Sequence, residues 1–199
     1  EQLGKRAEAF AEGTYNYFLI LGDQAPAALT NEVVDSLSYY TGLSKEYIRS
    51  TNERITDSRF FKELLRDEGK TIGRYDSRYT GEDEDDAGEE ASYDPSYSSV
   101  SGLFNGVFNE YARKDLDYKS DMQYEALTSV WPWNFGRANS YLDVSETLRD
   151  AMTENPDLKV MVCCGYYDLA TPFFNAQYAV DHMGLRKDVR NNIILNYYN

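Results

Sequence analysis

The stretch "LKVMVCCGYYDLATPFFNAQYAV", Leu158–Val180, together with "NNIILNYY", Asn191–Tyr198, decides the fold. Leu158–Tyr167 is a run of apolar residues of strand length, as expected of a strand buried on both faces of a parallel sheet. After "DLATP" the pattern predicts a helix over roughly 172–184, and Asn191–Tyr198 reads as a second apolar strand. Strand, helix, strand is a βαβ unit. Two strands do not make a stable parallel sheet. The remaining strands are therefore expected from chain outside these residues or from a partner. The open edge predicts pairing with a second copy, a route to a homo-oligomer.

Asp168 stands just past the first strand and just before Thr171-Pro172. In open α/β sheets, ligands and reacting groups gather at the carboxyl ends of strands. A carboxylate there can equally cap the next helix, because one oxygen accepting first-turn amides is enough. Placement alone leaves both roles open.

The rest of the chain offers Asp168 few chemical partners. Its single histidine, His182, follows Phe174 and Tyr178 at helical spacing, which points to packing. A self-contained Ser-His-Asp or Cys-His site is thus not expected. Cys163 and Cys164 are adjacent in the strand, where neighbouring side chains point to opposite faces, so a disulfide between them is not expected. They match no zinc spacing and read as small core residues. No metal and no cofactor is expected.

Residues 1–70 read as short helices. "KRAEAFAEGTYNYFLIL" carries Ala7, Phe10, Ala11 and Phe18 on one face. "TNEVVDSLSYYTG" begins at a candidate N-cap, Thr30, and stops at Gly42. Ser44 opens "SKEYIRSTN", and Thr56 or Asp57 opens a helix with Phe60, Phe61, Leu64 and Leu65 inward, halted by Gly69. Residues 71–80 suit an extended segment. "GEDEDDAGEE", 81–90, holds seven acids in ten residues and reads as a solvated, mobile loop. A calcium loop is excluded by Ala87 at its fifth position and Asp94 at its twelfth. Farther on, Val100, Leu103, Val107 and Tyr111 recur in helical register. "VWPWNF" gathers Trp131, Trp133 and Phe135, a cluster that can stack a ligand or simply pack. Asp143 and Glu146 form a capping-box pattern before Pro156.

The 42% hydrophobic content supports a core in a chain of 199 residues. Thirty-four acidic against 20 basic residues give a net charge of −14, which repels nucleic acid and anionic lipid, so neither is an expected partner. No apolar run reaches the roughly 18–20 residues of a membrane span, and the chain opens on no signal peptide. A soluble piece of a longer protein is expected.

Several motifs then become specific in combination: "TGLSKEYI", "RFFKELLRDEGKTIGRYDSRYTG", "YDPSY", "DLDYKSDMQYE", "NPDLKVMVCCGYYDLATPFFNAQY" and "NIILNYY". In this order, from about Ala7 to Asn199, they resemble the bacterial serine carboxypeptidases, the cathepsin A-like family. The resemblance implies a partial α/β-hydrolase fold. Residues 1–155 would be a helical cap region containing the acidic loop, and 156–199 the last part of the hydrolase core. It implies that Asp168 is the acid of a Ser-Asp-His triad, with the serine elbow expected before Glu1 and the histidine after Asn199. No G-x-S-x-G elbow occurs here; the nearest small-residue serine context, "VSGLF", lies in a predicted helix. The substrate would be a peptide C-terminus, and Tyr166, Tyr167, Phe173 and Phe174 would line the cleft or pack around the acid. The missing N- and C-terminal parts of the same protein would be the chain's partners, a secreted or periplasmic place would follow, and the 199 residues alone would be inactive. The alternative from the residues themselves is a non-catalytic helical interaction module, or a degenerate hydrolase, binding a partner protein.

Overall fold

The computed structural model describes residues 2–122, 124–128, 130–134 and 143–199. It divides into two compact units: Glu1–Gly73 with Thr80–Asp94, and Arg74–Tyr79 with Pro95–Asn199. The 155/156 boundary expected from the sequence falls inside the second.

In the first unit, α1 (Gln2–Phe10) passes through a wide π turn, Ala11–Tyr15, into α2 (Asn16–Leu21). Then come α3 (Ala27–Thr41), α4 (Lys45–Ser50), α5 (Asp57–Glu63) and a hairpin of β1 (Lys70–Ile72) with β2 (Thr80–Glu82). Gly42 ends α3 with φ of 79°, which costs glycine nothing, whereas α5 stops at Glu63, short of the expected Gly69, whose φ of 66° ends a separate 3₁₀ turn, Arg66–Glu68. Ser44 caps α4 through the Tyr47 amide, and Thr56, not Asp57, caps α5 through the Arg59 amide. Thr30 is not a cap. The helix starts three residues earlier, after Pro26, whose fixed φ suits a helix entry, and the Thr30 hydroxyl bonds back to the Pro26 carbonyl. Val34, Leu43 and Ile48 form the core, with Leu37, Ile55, Phe60 and Leu64 against it.

The acidic loop is solvated along Glu84–Glu90, but it is tied down. Three basic side chains on or just beyond α5 hold it. Arg59 takes both oxygens of Glu89 at 2.8 Å. Arg66 donates to the carbonyls of Asp86 and Gly88. Between them Lys62 Nζ lies 2.6 Å from Asp83 Oδ2 and donates to the Asp85 carbonyl. Lys62 and Asp83 are only 4% and 3% exposed, so neither charge could be tolerated there without the other. Burial alone would raise the Asp83 pKa. The hydrogen bonds from Lys62, Ser92 and Glu84 outweigh it and hold the carboxyl well below its usual range.

The second unit holds α6 (Pro95–Lys114), α7 (Ser145–Glu154), β3 (Val160–Gly165), α8 (Phe173–Asp181), α9 (Lys187–Arg190) and β4 (Ile193–Tyr198). The βαβ reading of the sequence is met: β3 and β4 pair in parallel from Val160↔Ile193 to Gly165↔Tyr198. Met152, Val180, Met183, Val189 and Ile193 make the core, with Leu148, Val160, Val162 and Leu195 packed on it. Among the described residues only that face of the sheet is covered. Met161, Ile194 and Tyr198 on these strands are exposed, so burial on both faces is not realised among the described residues. For the same reason Cys163 is exposed while Cys164 is buried; both are free thiols.

Two further expectations change. In α6, Leu103, Val107 and Tyr111 face outward, beside Phe104 and Phe108, while Ser96 and Ala112 are buried. Specific bonds draw that small side in: the Tyr75 amide donates to Ser96, and the chain returns so that the Tyr118 amide reaches the Ala112 carbonyl at 2.9 Å. At α7, Asp143 accepts the Ser145 amide, but Glu146 pairs with Arg149 rather than closing a capping box. Trp131 and Trp133 are exposed, and Phe135 lies outside the described residues.

Lys62→Met leaves a buried carboxylate without its ammonium. It should cost about 2–3 kcal/mol in urea unfolding, below the ~3–5 kcal/mol of a deeply buried pair, because the loop above can open and rehydrate it. Lys62→Met with Asp83→Leu should recover most of that loss. Because the folded Asp83 pKa is depressed, the pair's contribution is present above the unfolded value near ~3.9 and lost as pH falls below it. The stability of wild type relative to the double variant should be flat from about pH 8 to 5 and should fall progressively below about pH 4.

Candidate functional site

The carboxyl end of β3 turns sharply before α8. Asp168 donates its amide to the Gly165 carbonyl (3.4 Å), which closes the turn. Its Oδ1 accepts the amides of Ala170 (2.8 Å) and Thr171 (2.9 Å). Both amides belong to the turn ahead of α8, whose own first-turn amides begin at Phe173, past Pro172, which has no amide to offer. Oδ2 takes no hydrogen bond among the described residues. The carboxylate is therefore half used: one oxygen is fixed by the backbone and the other is open.

The backbone on either side of Asp168 is held from outside the turn. The Tyr167 carbonyl accepts the Ser77 amide at 2.9 Å, and the Leu169 amide donates to the Arg74 carbonyl at 2.9 Å. Both partners belong to the strap Arg74–Tyr79. Within it, Arg78 forks onto Asp76, with contacts of 2.7 to 3.2 Å. The fork's hydrogen bonds hold the Asp76 carboxyl below its usual pKa. The Arg78 guanidinium lies 4.4 Å from the centre of the Tyr167 ring. The strap is anchored in turn by the Tyr75 amide on buried Ser96 (3.0 Å).

The four aromatics singled out with Asp168 do not form one wall. Tyr166 and Phe173 meet edge to face at 5.4 Å, and both pack on Tyr197 from β4. The Tyr197 hydroxyl bonds to Gln177 at 3.0 Å. Tyr167 turns instead toward Arg78, and Phe174 runs along α8 against Tyr178. His182 closes the far end of α8, stacked on Tyr178 at 3.8 Å with Nδ1 at the Tyr178 carbonyl. The nine residues of α8 put about 13 Å between it and the Asp168 end. Cys164, below the turn, has its thiol pKa raised by burial first and then by Cys163 and Asp168, which keeps it protonated and a poor nucleophile. Among the described residues no three His, Cys, Asp or Glu side chains converge as metal ligands.

No family model matches this chain, and no curated protein or solved structure matches it either. The site's geometry is therefore the ground for a functional reading. Sequence reasoning reached Asp168 and missed two contributors. Tyr197 had a signal, since an apolar strand parallel to β3 must set one residue beside Cys164. The strap had none, because no local pattern links "RYDSRY" to a turn so far along the chain.

Asp168→Ala strips both amides of their acceptor and should cost about 1 kcal/mol of stability. Asp168→Asn keeps an oxygen at that position and should cost a few tenths at most, since the two residues cap about equally well. Thermal unfolding of the two variants beside wild type checks both values.

Proposed function

We propose that this chain supplies the acid of a Ser-His-Asp triad in an α/β-hydrolase of serine carboxypeptidase type, and that Asp168 is that acid. One observation carries the reading: the Asp168 carboxylate spends Oδ1 on two backbone amides and leaves Oδ2 open at the carboxyl end of a parallel strand. That is the position where open α/β sheets gather their chemistry. The exposed outer face at Met161, Ile194 and Tyr198 supports a larger sheet, with further strands and a second layer.

In this reading the serine and histidine come from chain outside residues 1–199. Asp168 Oδ2 accepts the imidazole Nδ1–H, fixing the tautomer that turns Nε2 toward the serine and stabilising the imidazolium once the serine proton has moved. Serine attacks the last peptide carbonyl, and the imidazolium returns its proton to the departing amino acid. Tyr166 and Tyr167, both partly exposed, serve as cleft surface with Phe173 packed on Tyr166, and Phe174, which lies against Tyr178, extends the aromatic lining along α8. In this reading residues 1–155 are the helical cap region of such an enzyme. The enzyme is secreted or periplasmic, takes a peptide C-terminus as substrate and needs no cofactor.

A second reading, a non-catalytic module that binds a partner protein, has one observation in its favour. The exposed row Leu103, Phe104, Val107, Phe108 and Tyr111 on α6 is a larger apolar patch than scattered surface residues make.

The protein containing this chain with its serine and histidine separates the two. Asp168→Asn should fold normally and lose about 10⁴ in kcat on peptides with a free C-terminus, because the carboxamide keeps the cap but presents N–H to the histidine. Undiminished turnover by the folded variant would overturn the triad reading. Residues 1–199 alone should release no C-terminal amino acid.

A further inference from the structure

The strap Arg74–Tyr79 is separated in sequence from the Asp168 turn, yet it grips that turn on both sides of the one residue. Ser77 binds the carbonyl just before Asp168 and Arg74 binds the amide just after it. With Oδ1 held by Ala170 and Thr171, these contacts leave the Asp168 side chain little freedom in where it aims Oδ2. Backbone bonds at an exposed turn open readily unless something packs over them. Here the packing is Arg78 on the face of Tyr167. Asp76 fixes the plane of the guanidinium by gripping Nε and one terminal nitrogen together, a geometry lysine cannot reproduce.

We infer that the strap is a positioning device for Asp168, with Arg78 the residue that clamps it and Asp76 the residue that orients the clamp. The inference rests on Asp168 being the triad acid, and it adds that the direction of Oδ2 is set by a segment far upstream. Arg78 touches neither substrate nor histidine; it acts through Tyr167 and the two backbone bonds. Small errors in such a geometry are costly, since a displacement of about 1 Å can remove on the order of 10²-fold in rate.

The test has two arms. Hydrogen exchange on the 199-residue chain reads the grip: Arg78→Ala should speed exchange of the Ser77 and Leu169 amides at least tenfold and leave the β3–β4 amides unchanged. Kinetics on the protein that contains this chain reads the consequence. Arg78→Ala should lower kcat by about 10–100-fold with KM little changed. It should also lower the apparent pKa governing kcat/KM toward that of Asp168→Asn, because a misdirected carboxylate no longer stabilises the imidazolium. A loss of folded enzyme alone would scale the rate and leave that pKa where it was. Arg78→Lys should recover only part of the rate. In amide exchange Tyr167→Leu should match Arg78→Ala, and the two together should be no worse than either, since they break one contact. If Arg78→Ala does not fold, Asp76→Asn takes its place in both arms.

Unchanged amide exchange in these variants overturns the inference. So does faster exchange with rate and pKa untouched while Asp168→Asn is inactive, and in that case the triad reading stands. If Asp168→Asn itself keeps full activity, the triad reading fails and the positioning role falls with it.

Discussion

The turn after β3 depends on a carboxylate doing for the backbone what the backbone cannot do for itself. Ala170 and Thr171 offer amides just ahead of a proline, and no carbonyl is placed to accept them. Asp168 meets both with one oxygen. A shorter or apolar residue would leave two amides to solvent and let the turn loosen. A longer acid would place its oxygens beyond the reach of a two-residue return. The constraint fixes the side chain before any catalytic demand is made of it. The open Oδ2 is therefore aimed by local structure, and the two roles considered for this aspartate are compatible because a carboxylate has two oxygens.

The same economy runs through the βαβ unit behind it. β3 and β4 share one covered face, where Val160, Val162 and Leu195 meet α7 and α8 through Met152 and Val180. The other face presents Met161, Ile194 and Tyr198. Parallel strands are ordinarily packed on both faces, so the composition of β3 and β4 suits a sheet larger than two strands. Tyr197, Tyr166 and Phe173 seal the end of the covered face near Asp168, which explains why these aromatics pack on one another more than they line a surface.

How much of this was legible follows the range of the forces. Gly42, Ser44 and Thr56 act within one helical turn, and each does what its type predicts, while α5 stops at Glu63, ahead of Gly69. The two strands were legible because each is a short apolar run of strand length, although only one of the two faces that such a run buries is covered among the described residues. Thr30 misled because a serine- or threonine-type cap competes with proline, and Pro26, the residue immediately ahead of the helix, won. The apolar row of α6 misled because the inward side was chosen by hydrogen bonds to Tyr75 and Tyr118 from other segments. The three-residue strands β1 and β2 are too short to show an alternation. Of the candidate site, the acid could be found from its place after a strand, whereas the strap and Tyr197 belong to tertiary structure alone.

The acidic loop shows how a long-range partner can replace what a local motif lacks. Seven acids in ten residues repel one another, and in a calcium loop a cation at the centre would offset that. The ligand pattern for such an ion is broken at Ala87. In its place α5 supplies Arg59 and Lys62, three apart and so on one helical face, and the turn after it supplies Arg66. Lys62 reaches the first half of the loop and takes a carboxylate oxygen of Asp83 with a carbonyl of Asp85, the mixed oxygen set that a bound ion would otherwise attract. An ammonium carries a single charge and makes only three directed bonds, so it can hold the loop's entry but cannot gather all its carboxylates. Arg59 and Arg66 are needed for the rest, and the acids they do not reach face water, where their charge is screened within about 8–10 Å.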